Sequence, residues 1–111
     1  MYITEAATAA TLRTLAGLAP DSIVVMTFML PLAQVDDADR PGLEAAARGA
    51  RAAGTPWVSF FEPDRIVALA RGAGFANASY ISTAELAERY LTGRADGLRA
   101  AGGEGILLAR T

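Results

Sequence analysis

Ser22-Ile-Val-Val-Met-Thr-Phe-Met-Leu30 contains the longest apolar run of the chain, with Pro20-Asp21 before it and Pro31 after it. Its apolar residues do not alternate with polar ones. A half-buried strand shows period-two alternation, whereas a strand covered on both faces reads as one continuous hydrophobic stretch. The segment therefore predicts a central strand in a parallel-type sheet covered by helices, and the fold class is α/β.

Helices are predicted on both sides of this strand. Upstream, Thr4 suits an N-cap, Glu5 complements the positive helix end, and Leu12, Leu15 and Leu18 recur at helical spacing until Pro20-Asp21. Downstream, Asp39 and Pro41 suit an N-cap and a first turn, and an alanine-rich helix over Leu43–Ala53 ends at Gly54. Trp57–Phe61 reads as an extended crossing or an edge strand. Pro63 opens a helix that turns Ile66, Leu69 and Ala70 inward and stops at Gly72 and Gly74. Phe75–Ile81 predicts a strand. Ser82-Thr-Ala-Glu85 is a capping box with Ile81 and Leu86 as its hydrophobic staple, so a helix runs to about Thr92. The turn-rich Gly93–Gly105 leads into a last strand at Ile106–Arg110. No repeat or linker divides the 111 residues, which form a single domain.

Composition excludes several functions. With 52% hydrophobic and 20% charged residues, the chain is built to fold around a core. Ten arginines against twelve acids, spread along the sequence, leave a net charge of -2 and no basic face for nucleic acid or anionic lipid. Nothing approaches the ~20 apolar residues of a membrane span. Cysteine is absent, so there is neither a disulfide framework nor a thiolate site, and a cytoplasmic location suits the chain. Histidine is also absent, which removes the usual base of a serine nucleophile and the commonest metal ligand.

The remaining motifs are mostly structural. Gly72-Ala-Gly74 follows a predicted helix and Gly102-Gly-Glu-Gly105 precedes a predicted strand, whereas a phosphate or cofactor cradle lies between a strand and the helix after it. Asp36-Asp-Ala-Asp39 places Pro41 where a calcium loop needs Gly, so it reads as a solvated approach to a helix. Glu62, Glu85 and Glu88 form no evident catalytic pair.

Three phrases carry a family resemblance: Thr55-Pro-Trp57, Pro63-Asp-Arg-Ile-Val-Ala-Leu-Ala-Arg-Gly-Ala-Gly74-Phe75, and Arg89-Tyr-Leu-Thr-Gly-Arg-Ala-Asp-Gly-Leu98. They resemble the end of bacterial S-adenosylmethionine-dependent methyltransferases of the leucine carboxyl methyltransferase family. Met1-Tyr-Ile-Thr-Glu5 resembles the segment after the fourth strand of that family, so the likeness covers essentially the whole chain. It implies the back portion of a Rossmann-like class I methyltransferase fold: Ser22–Leu30 as strand five, Phe75–Ile81 as strand six and Ile106–Arg110 as strand seven, inserted between the other two. The N-terminal cofactor-binding half, with its Gly-rich loop and ribose-holding acid, has no counterpart.

The resemblance implies methyl transfer to an oxygen of a small acceptor, with no cofactor bound by this chain alone and S-adenosylmethionine serving the complete enzyme. Tyr2, Phe28, Trp57 and Arg94 are the candidate substrate-binding residues. The resemblance sets Tyr2 beside the transfer centre and the segments around Trp57 and Arg94 over the acceptor pocket. Tyr2 and Phe28 should also lie at the carboxyl end of the sheet, where open α/β folds bind ligands. Thr27, Phe60 and Tyr90 are lesser candidates. Core packing is the alternative role for the aromatics, and a pair with Asp96 the alternative for Arg94. The expected function is a truncated or split methyltransferase fragment that supplies acceptor-pocket elements; the alternative is a noncatalytic self-associating module. Either a second copy or a complementary N-terminal half is the expected partner.

Overall fold

The computed structural model describes residues 1–111. Thr4 starts the first helix, α1 (Glu5–Ala16), by accepting the Ala7 N–H on Oγ1 at 3.2 Å, and Gly17 ends it before Leu18. The apolar run becomes β1 (Ile23–Met29), followed by a single 3-10 turn at Leu32–Gln34. Helix α2 (Arg40–Ala52) has no fully buried residue and is anchored through Arg40, whose guanidinium donates to the carbonyls of Leu32 and Val35. Pro63 opens α3 (Pro63–Ala73), and Gly74 closes it in the left-handed conformation at φ 111°. Gly72 lies inside this helix and does not stop it. Strand β2 (Asn77–Ile81) leads into α4 (Thr83–Tyr90), where both halves of the Ser82–Glu85 capping box form. Strand β3 (Glu104–Arg110) starts two residues before its expected position.

The sheet order is β1-β3-β2. Strand β3 is antiparallel to both neighbours, opposing Val25 and Ser79 at Leu108, so β1 and β2 run parallel to each other. Antiparallel pairing sends alternate side chains to opposite faces. One face collects Phe28, Ala78, Leu107 and Ala109, which join Leu12 of α1 and Ile66 and Ala70 of α3, with Phe61 and Phe75, in the hydrophobic core.

The expectation of a central, parallel-type strand covered on both sides is corrected twice: β1 is an edge strand paired only antiparallel, and its other face is largely open. Ile23 is 56% and Val25 62% exposed, and Thr27 is exposed beside them. Both aliphatic side chains forgo much of the roughly 1.5–3 kcal/mol that full burial supplies. Helix α4 lies against one end of this face and leaves the rest bare. The protein is consequently a slab of 40 × 39 × 20 Å with only 15 of 111 residues buried. Its radius of gyration of 15.4 Å exceeds the ~13 Å of a compact domain of about this length.

Candidate functional site

Residues 57–61 bring the chain's aromatic cluster together. This segment is extended without being a sheet strand: Phe61 N–H donates to Met29 O at 2.8 Å, and Val58 and Ser59 N–H both donate to Met1 O at 2.9 and 3.2 Å. The N-terminal residues are thereby tied to the carboxyl end of β1. Trp57 Nε1–H then donates to the Tyr2 hydroxyl at 3.4 Å, and the Trp57 ring lies 6.4 Å from Phe60 at 57°. Tyr2 is 59% exposed. Beside it, a shallow cleft of about 420 Å3 is lined by Tyr2, Gly54, Thr55, Pro56 and Val58.

An aromatic ledge with a phenol hydroxyl can hold a small, partly apolar molecule by area and one hydrogen bond. It offers no general base or nucleophile. Of the four candidates, Tyr2 and Trp57 are joined directly. Phe28 lies beneath, only 4% exposed, in edge contact with Phe61 at 6.5 Å and tilted against Tyr80 at 5.9 Å. It belongs to the core, and burial also pushes the Tyr80 phenol pKa up. Arg94 is spent locally: its guanidinium makes a two-pronged contact with Asp96, which holds that carboxyl below its usual pKa. No hydrogen bond or ion pair links Arg94 to Tyr2, Phe28 or Trp57.

Two features are not evident in the sequence. Ser59 is 6% exposed and its Oγ is the buried side-chain polar atom without a partner, next to the point where Met1 crosses. Asp39 does not cap α2 with its side chain. It instead accepts from the Arg99 guanidinium and from Gly102 N–H at 2.7 Å, and those bonds lower its pKa from 3.8 to about 2. Its partners lie 60 and 63 positions away, so local spacing carries no signal of them.

The Gly-rich clusters stand at a helix end and ahead of a strand. Gly74 is the stop of α3, and Gly102–Gly105 leads into β3 with the Gly102 N–H already donated to Asp39. No strand, Gly-rich turn and helix occur in the order that would aim backbone N–H groups at a ribose or an amino acid. A depression of about 550 Å3 lies toward the amino ends of β1 and β2, away from the aromatic ledge, and includes part of the bare face at Ile23, Ser79 and Leu108. No helix is long and apolar enough to cross a membrane. Comparison with protein-family models, with curated proteins and with solved structures gives no match.

Proposed function

We propose that this chain is the back portion of an S-adenosylmethionine-dependent methyltransferase of the leucine carboxyl methyltransferase type, in truncated or split form. Its role is to furnish acceptor-pocket elements, chiefly the Tyr2–Trp57 ledge, to a front half that carries the cofactor. The observation carrying this reading is the sheet order, with the last strand inserted antiparallel between two parallel ones, together with a β1 edge that has no neighbour. The position of the ledge at the carboxyl end of β1 supports it, because open α/β sheets place ligands there. Catalysis in such an assembly rests on positioning, and the ledge would orient the acceptor. Without a cradle of its own, the chain is inactive alone.

Calorimetric titration of the isolated protein with S-adenosylmethionine should give no saturable binding. Co-expression with a Gly-rich front half encoded upstream or nearby should give a stoichiometric complex that binds it. Micromolar binding by the isolated chain would remove the claim of a missing half. Failure to form a complex with any such front half, alongside a stable self-assembly, would instead favour a noncatalytic self-associating module. That second reading draws on the exposed apolar band around β1.

A further inference from the structure

Both outer strands of the sheet have a free edge, but only one is defended. At β2, Arg71 Nη2 donates to Ala78 O at 3.2 Å, and polar Asn77 and Ser79 stand along the strand. A charged side chain over outward-facing backbone is a common device against edge pairing. Strand β1 has nothing comparable. Thr111 N–H donates to Ser22 O and Leu30 N–H to Gly103 O, which turns the backbone groups of even-numbered residues toward β3. The groups of Ile23, Val25 and Thr27 therefore face outward. Met29 O is taken by Phe61 N–H, so the open stretch stops at Thr27. No charge or proline interrupts it.

Apolar surface gathers around this edge. Eight large hydrophobic side chains of the protein are exposed, and six of them, Tyr2, Ile3, Leu18, Ile23, Val25 and Val58, belong to β1 or to the segments that flank its two ends. We propose that β1 pairs antiparallel with β1 of a second copy about a two-fold axis at Val25, making one continuous six-stranded sheet. The open stretch is symmetric about Val25, so the register follows from its length: Val25 opposes Val25 of the other copy, and Ile23 opposes Thr27 in both directions. Each outward N–H and C=O then finds a partner, which a two-fold, self-complementary contact requires.

The same operation also matches the flanks. Leu18, at the start of one β1, comes toward Tyr2, Ile3 and Val58 at the end of the other. The α1 helices lie on the same side of the joined sheet and run antiparallel. Strand pairing alone covers about 17 Å of chain at ~3.4 Å per residue. A specific contact buries more than ~1,000 Å2 in total, so the flanks must contribute alongside the strands. This dimer stands on edge geometry and describes the chain without a front half, which under the methyltransferase reading would displace the second copy from the same β1 edge.

Light scattering on the intact protein should give twice the 11.5 kDa of one chain. Val25→Lys adds a charge to a side chain that is exposed in the single chain, but opposes two ammonium groups across the axis. It should halve the mass and leave the circular dichroism spectrum unchanged. Val25→Asp should do the same, and mixing the two variants should restore the dimer. Because the protein has no cysteine, Val25→Cys supplies a lone thiol at a pair whose Cα separation of ~5.5 Å suits a disulfide. It should cross-link on mild oxidation, whereas Leu98→Cys should not. A monomer at high micromolar concentration, a Val25→Lys protein that stays dimeric, or equal cross-linking of both cysteine variants would overturn the proposal. So would a monomer that binds one-to-one to a methyltransferase front half, which would assign the edge to that partner.

Discussion

Asp39 shows how one carboxylate can hold distant segments together. It joins the start of α2 to the loop before β3 through Arg99 and Gly102, and its side chain is 10% exposed. The Arg99 hydrogen bond is the main cause of its lowered pKa, with the Gly102 N–H next. A carboxyl that titrates near 3.8 unfolded and near 2 folded adds stability at pH values above the first figure, and that contribution is lost as pH falls toward the second. Acid titration followed by NMR should therefore release the amides around Gly102 between about pH 4 and 2. Asp39→Asn should lower the neutral-pH melting temperature and abolish that acid transition.

Gly105 is constrained from the opposite direction. A Cβ there would sit 2.5 Å from Tyr80 Cε2 and 2.8 Å from Phe28 Cζ, two packed rings with little room to yield. Gly105→Ala should cost about 1–3 kcal/mol of stability, the usual range for overpacking, measured by denaturant unfolding. At the ledge, Tyr2 and Trp57 are surface or half-buried groups. In a complemented enzyme, Tyr2→Ala and Trp57→Ala should lower methyl transfer about tenfold or more while shifting the melting temperature little, a loss of the size expected when acceptor positioning fails. Arg94→Ala should behave like Asp96→Ala, because each removes the same turn contact.

At the scale of the elements, features with local causes were legible in the sequence. Thr4, the Ser82–Glu85 box, Pro63 and Gly74 each act through neighbours within four residues, and each marks a boundary where it was expected. Ser82→Ala should cost about 1 kcal/mol and fray the first turn of α4, visible as faster amide exchange at Thr83–Glu85. The aromatic ledge was legible only in part. Tyr2 and Trp57 stand 55 positions apart and meet because Met1 O accepts two N–H groups from the 58–59 backbone, a contact that leaves no side-chain trace. The one-sided cover of β1 was not legible at all. An apolar run reads the same whether its second face is covered by the chain's own helices or by another polypeptide.

For the whole molecule, the decisive property is the slab shape. Full helical cover on one face of a small sheet and partial cover on the other bury few residues, so the separate chain should be weakly stable and gain much of its stability by association. The melting temperature should then rise with protein concentration, as it does whenever the folded state binds a partner and the unfolded state does not. Val25→Lys should lose that dependence, and differential scanning fluorimetry over a dilution series distinguishes the two behaviours.

The middle position of β3 also bears on how the polypeptide matures. Ile23 and Asn77 both oppose Arg110, so neither outer strand has its neighbour until the ribosome has translated the residues that join them. Until then the nascent chain carries two unpaired strands and an apolar segment, the kind of species that aggregates or engages chaperones. Closing the sheet must also overcome the entropy of long loops, which makes such topologies slow to fold. A message ending before the Glu104 codon should yield a product without cooperative unfolding that is rapidly degraded, while changes confined to α2 should spare folding yield.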